Sequence, residues 1–280
     1  RMTETVNKAL KKALEIDADI YHLHDPELLR IAPNLKRANK KVIYDVHEDL
    51  PRQLMSKKYI NPGVKKILSY IIEKYEDKAS SKLDYIITST PHIRDRFLKF
   101  HPKTIDINNF PIIEELVLDY DYENKLEDNI CYVGGLTSER GIKELTIALG
   151  LTEAKLLLAG NFTENELKQK LSGLDSWNQV EELGYINREE VKEVYKRSKL
   201  GLVTLHPIKN YLDSLAVKMF EYMAAGIPVI ASNFPLWKSI IEKNNVGLCV
   251  DPMSPESIAE AITFLLKNKD KAREMGENGK

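Results

Sequence analysis

The hydrophobic positions of this chain fall into two kinds of run that alternate along its length. Residues 6–14, 27–38 and 62–80 carry apolar side chains three and four apart, the spacing of helices with one buried face. Between them, residues 19–23, 41–46 and 84–88 are short runs rich in Ile, Val and Tyr, and each ends in a polar cluster: His22-Leu23-His24-Asp25, Asp45-Val46-His47-Glu48-Asp49 and Thr88-Ser89-Thr90. Strands alternating with helices predict βαβ units on a parallel sheet, with residues 105–111 as the last strand of this half. Ligands of such sheets bind beyond the carboxyl ends of the strands, where His24, Asp25, His47, Glu48, Asp49 and Ser89 fall.

A second alternation begins at residue 129. Strands are expected at 129–133, 155–159, 180–183, 200–205, 228–231 and 247–250, with helices between them, among them 142–149. Residues 114–128 are acidic and aperiodic. The predicted organisation is therefore α/β, with two doubly wound parallel-sheet domains at 1–112 and 129–280 and a linker at 113–128. The chain starts and closes inside helical patterns, so both ends read as cut.

The stretch 215–232 is the most informative. Residues 215–225 favour a helix that is apolar nearly all round, Gly226 is placed to end it in a left-handed turn, and Pro228 prevents continuation before a buried strand. Lys218 and Glu221 are its only charges, three apart on one face. A surface ion pair there is worth a few tenths of a kcal/mol at most, so two readings stand: a rim ion pair, or a pair of ligand-binding groups. Asp213 or Ser214 fits the N-cap of this helix, while the same helix start offers backbone N–H groups to an anion, with Lys218 one turn further on. Gly134 and Gly135 follow a strand and admit close backbone approach, and Arg140 stands before the next helix, where a guanidinium can grip a phosphate with two parallel bonds.

Composition removes several classes of function. With 41 basic and 42 acidic residues and a net charge of -1, the chain has no surplus for nucleic acid, and none of its apolar runs reaches membrane-spanning length. Cys131 and Cys249 lie in apolar runs and read as small buried hydrophobes of a reducing, cytoplasmic protein. A His-x-His pair at a strand end can hold a metal, but no third ligand of suitable spacing is near in sequence, and no metal is expected. Basic residues scattered from Arg30 to Lys66 suit either a face toward anionic lipid or a solvated helix face.

Residues 212–230, with Asp213 and Glu221 eight apart, closely resemble the acid-x7-acid signature of the retaining, GT-B-fold glycosyltransferases of family 4. Residues 132–141 are similar to the donor-domain phosphate loop of that family, and residues 22–26 and 44–48 to strand ends of its acceptor domain. The resemblance implies a sugar transfer from a nucleotide diphosphate sugar to a saccharide or lipid-linked hydroxyl acceptor, in cell-surface polysaccharide or glycolipid synthesis, without metal or other cofactor. It implies that Glu221 binds the ribose, that Asp213, Ser214 and Leu215 hold the donor sugar, and that Lys218 and Arg140 neutralise the diphosphate beside Gly134 and Gly135. The base would lie near Gly184 and Tyr185, His24 near the reacting sugar, and His47 and Glu48 on the acceptor side. Peripheral contact with the inner face of a membrane is part of this expectation. The chain departs from the family in three places: Gly135 replaces a common arginine, Asp213 a usual glutamate, and the family's opening strand and glycine-rich loop have no counterpart before Thr3, so the first domain reads as incomplete. A nucleotide-sugar epimerase on the same fold and a non-catalytic binding domain remain the alternatives.

Overall fold

The computed structural model describes residues 2–56, 60–116 and 128–280. They divide into two compact units, Arg1–Asn109 and Phe110–Lys280. The first unit holds four parallel strands, β1 (Ile20–Leu23), β2 (Lys41–Val46), β3 (Tyr85–Thr88) and β4 (Thr104–Asp106), in that spatial order. The second holds six, β5 (Asn129–Val133), β6 (Lys155–Ala159), β7 (Val180–Gly184), β8 (Leu200–Val203), β9 (Val229–Ser232) and β10 (Gly247–Val250), in the order β10-β9-β8-β5-β6-β7. Every described pairing is parallel. The strand order reverses beside β5, which is where an open parallel sheet leaves a crevice at its carboxyl edge.

The sequence pattern explains which strands are central. All four residues of β8 and of β9 are buried, as expected for strands covered by helices on both faces, so they read as continuous apolar runs rather than alternating ones. One face packs on Leu145, Leu149, Ile258, Ile262 and Leu265, the other on Tyr195, Met219, Tyr222, Trp237 and Ile241. Each fully buried large side chain contributes roughly 1.5–3 kcal/mol relative to exposure.

Several element boundaries differ from expectation for identifiable reasons. Residues 27–38 form a 3-10 turn, Pro26–Arg30, followed by a separate helix, Ala32–Arg37; Pro33 has no N–H to continue an upstream helix and instead occupies the first turn of a new one. The central helix is Val217–Ala224, starting two residues later than the periodicity suggests. Its end is as expected: Gly226 has φ +71°, its N–H bonds Met223 O at 2.8 Å and the Ile227 N–H bonds Tyr222 O at 2.8 Å, the two bonds of a Schellman motif. The last strand of the first unit is only Thr104–Asp106. Within the expected linker, Ile113–Glu115 make a 3-10 turn and Leu116 is fully buried in the core of the second unit; residues 117–127 lie outside the described residues. Neither cysteine forms a disulfide; Cys131 is buried, and burial pushes the Cys249 thiol up to about 12.

Candidate functional site

The carboxyl end of β5 turns through Gly134 and Gly135 and enters the 3-10 turn Ser138–Arg140 before the helix Ile142–Leu149. Gly134 has φ +135°, and a Cβ there would sit 2.8 Å from Lys218 Nζ and 3.5 Å from Arg140 Nη1, so the missing side chain is what lets both cations close on the turn. Arg140 also lies over Gly135, whose Cβ would be 3.8 Å from the guanidinium carbon. Two cations of different elements thus meet at one glycine turn.

Lys218 is the less compensated of the two. Its Nζ is buried, lies 3.7 Å from the centre of the Tyr132 ring, and has no hydrogen-bond partner among the described residues. Burial, reinforced by the Arg140 charge, drives its pKa well below the ordinary lysine value. An amine held this way has donors but no acceptor, which is the arrangement an entering anion completes. The helix start adds to it: the N-cap position is Ala216, with no side-chain cap, and while the Met219 N–H bonds Ala216 O at 2.9 Å, the N–H groups of Val217 and Lys218 before it face a ligand or solvent. This corrects the expectation that Asp213 or Ser214 caps the helix. Asp213 instead ends the short helix Lys209–Leu212 and is exposed, while Ser214 donates to Tyr211 O at 3.0 Å and accepts from Trp237 Nε1 at 2.7 Å. Leu215 is half-buried beside them.

Glu221 does not pair with Lys218, so the rim ion pair is not formed. Its Oε1 accepts from Arg188 Nη1 at 2.6 Å and its Oε2 from the Tyr195 hydroxyl at 2.8 Å. These two groups come from the helix Arg188–Arg197, seven residues apart on one face, and that helix is fixed by a capping box in which Asn187 accepts from Glu189 and Glu190 and Glu190 accepts from Asn187 N. A carboxylate has about four acceptor directions, so Glu221 keeps room for further donors. Tyr222, the next residue, sends its ring to β8, where a Cβ on Gly201 would lie 2.4 Å from it, and its hydroxyl accepts from Val133 N at 3.2 Å, tying the central helix to the end of β5. At the end of β7, Gly184 has φ +66° and Tyr185 is 81% exposed.

The family model described as glycosyl transferases group 1 matches residues 122–280, more than half of the chain. The chain belongs to this family. An uncharacterized glycosyltransferase of Methanocaldococcus jannaschii is 30% identical over 147 residues, 51% of this chain and 36% of that protein. D-rhamnosyltransferase WbpZ of Pseudomonas aeruginosa is 22% identical over 276 residues, 95% of this chain and 69% of that one. This group 1 chain therefore spans about a third of the first relative and somewhat over two thirds of the second. Among solved structures, Anabaena HepE in complex with UDP is similar in fold, with a TM-score of 0.77 at 17% identity over 98% of this chain and 75% of that one. The fold is GT-B-like, with two parallel-sheet units flanked by helices.

The first unit of this group 1 chain gathers the other expected residues. His24 Nδ1 lies 3.0 Å from His47 Nε2, and both rings are exposed. Glu48 accepts a short bond from Gln53, and Ser89 donates to His47 O at 2.6 Å. Asp49, expected at the ligand-binding edge of the sheet, is instead buried against Arg96 at 3.0 Å; Arg96 also pairs with Glu76, whose other oxygen accepts from the Tyr44 hydroxyl at 2.8 Å. That buried network is structural. Much of the expected basic face is likewise neutralised, with Lys36 and Lys41 on Asp84, Lys40 on Asp17 and Arg52 on Glu73. Arg188, Tyr195, Tyr132 and Tyr222 are the site residues that the sequence reading overlooked; the Asn187-x-x-Glu190 signature marks the helix that carries the first two.

Replacing Lys218 by Met keeps the volume and removes the uncompensated amine. We expect Lys218→Met to raise unfolding stability by about 1–3 kcal/mol, read as a higher urea midpoint. Because the folded value is depressed, the native protein binds fewer protons than its unfolded chain up to the ordinary value of 10.5, so its stability rises with pH through that window and the variant loses this dependence. A lower midpoint for the variant contradicts this account of the site.

Proposed function

We propose that this chain belongs to a retaining glycosyltransferase of family 4, transferring a sugar from a nucleotide diphosphate sugar to a saccharide or lipid-linked hydroxyl in cell-surface polysaccharide or glycolipid synthesis. The observation that carries the reading is the buried, unpartnered Lys218 Nζ beside Arg140 at the Gly134 turn. A diphosphate leaving group gathers negative charge as the glycosidic bond breaks. Two fixed cations and an uncapped helix start stabilise that charge more than they stabilise the ground state, which is the sense in which placed charges catalyse. Lys218 and Arg140 do here what a divalent ion does in other transferases.

The remaining donor contacts are assigned as the family resemblance implies. Glu221, oriented by Arg188 and Tyr195, accepts from the ribose hydroxyls. Asp213, with the backbone of Ser214 and Leu215, holds the sugar, and the base rests against Gly184 with Tyr185 free to stack on it. The departing phosphate takes the acceptor proton in a front-face displacement, so no side chain acts as a covalent nucleophile. His24, His47 and Glu48 are the residues of the first unit that we assign to the acceptor side. The printed ligands of the HepE structures, UDP and UDP-glucose, support a nucleotide sugar donor.

Membrane contact rests on a different element from the basic residues first considered. The helix Pro62–Ser80 exposes Val64, Ile67, Tyr70, Ile71 and Tyr75 on one side, with Lys78 and an Asp77-paired Lys74 among them, an apolar face suited to a bilayer surface. No described helix is long and apolar enough to cross a membrane.

Calorimetric titration with UDP, GDP, ADP and CDP, with and without divalent metal, tests the donor reading. We expect one of them to bind without metal, Glu221→Ala to abolish the preference for that nucleotide over inorganic diphosphate, and Lys218→Met to weaken it roughly ten- to a hundredfold. A folded chain that binds none of them refutes a donor site in this chain. Binding to anionic vesicles should fall at least about tenfold when Ile67 and Ile71 are both changed to Ser; unchanged binding removes the membrane role of this helix.

A further inference from the structure

In the first unit, β1 and β2 run parallel in a register that sets His22 opposite Ile43 and Leu23 opposite Tyr44. Side chains two apart on a strand share a face. His22 and His24 therefore stand together on one side of β1 and its carboxyl end, and Asp45 and His47 stand together on the same side of β2. Asp45 is the third ligand that no spacing within β1 could supply: it comes from the neighbouring strand.

The geometry points to a divalent transition-metal site formed by His22, His24 and Asp45. His22 Nε2 lies 3.2 Å and His24 Nδ1 3.5 Å from the same Asp45 Oδ2, and the ligand atoms of these three residues all lie within 4.8 Å of one another. His47 Nε2 is 3.0 Å from His24 Nδ1. Metal bonds of about 2.0–2.2 Å in tetrahedral geometry separate neighbouring ligand atoms by about 3.3–3.6 Å, and both spacings to Asp45 Oδ2 sit at or beside that edge.

Hydrogen bonding alone serves the cluster less completely. His24 Nδ1 carries at most a single hydrogen, so it can donate to His47 or to Asp45 but not to both. A cation takes a lone pair from His22, His24 and Asp45 at once. The ligand set fixes its class: two imidazole nitrogens and a carboxylate select zinc-like ions over Mg2+ or Ca2+, which need mostly oxygen ligands. Asp45 is 16% exposed, whereas the side chains of His22 and His24 are 40% and 54% exposed, so the anionic ligand is sheltered and the histidines leave an entry path. The inference concerns the first unit and stands apart from the donor reading of Lys218 and Glu221.

The test uses the whole 280-residue chain, stripped with a chelator and titrated with Zn2+ against a chromophoric competitor, and with Co2+ as a spectroscopic probe. We expect a single site of micromolar affinity or tighter, with the visible Co2+ bands of a four-coordinate nitrogen and oxygen set. His22→Ala and Asp45→Asn should each weaken Zn2+ by more than about tenfold, while Cys249→Ser leaves it unchanged. His22 is exposed, so its variant keeps the fold, checked by circular dichroism. No binding at equimolar micromolar concentration, a six-coordinate Co2+ spectrum, or affinity indifferent to His22→Ala overturns the assignment.

Discussion

A lysine amine shut away from water next to a guanidinium, with no carboxylate among the described residues to accept from it, is the constraint around which the second unit is arranged. Burying Lys218 Nζ beside Arg140 is unfavourable in the free protein, as its depressed pKa reflects. The surroundings hold it in place all the same. Tyr132 supplies a ring face, the bare Gly134 turn supplies space, and Tyr222 fastens the helix that carries Lys218 to the strand that carries the turn. Stability is given up at one point so that a charge on an incoming ligand finds its partners already positioned.

Glu221 obeys the opposite logic one turn further along the same helix. It is an acid provided with two donors, from Arg188 and Tyr195, and these fix its orientation without using all its acceptor capacity. A single eight-residue helix thereby presents an unsatisfied cation and a positioned anion to different neighbours. Sequence spacing put the two on one face, and from that alone a rim ion pair and a pair of ligand-binding groups both stood. What separates them is tertiary: the glycine turn draws Lys218 toward β5, and the capped helix Arg188–Arg197 draws Glu221 away.

Most of the fold was legible because its strands are short, apolar and bounded by polar clusters or glycines, as at residues 155–159 and 247–250, where strand limits and sequence runs coincide. Boundaries failed where a local cue was misjudged. Pro33 splits what periodicity joins, and the polar pair Asp213 and Ser214 mimics an N-cap although the helix begins beyond it. The candidate site was legible where residues are close in sequence, as for Gly134, Gly135 and Arg140. It was not legible where partners come from elements far apart in sequence, as for Tyr195 with Glu221 on two helices covering one face of the sheet, or Asp45 with His22 on neighbouring parallel strands that a long crossover separates.

The measurement that bears most directly on this account is the number of protons exchanged when a nucleoside diphosphate binds. Lys218 is held below its ordinary value in the free protein, and an anion beside it raises that value again, so binding takes up protons at any pH between the two and affinity falls as pH rises through that interval. Titration calorimetry at mildly alkaline pH, where the diphosphate is already fully ionised, in two buffers of unlike ionisation enthalpy, reads the exchange. The account predicts net proton uptake that disappears in Lys218→Met. Tight binding with no exchange, or with proton release, contradicts it.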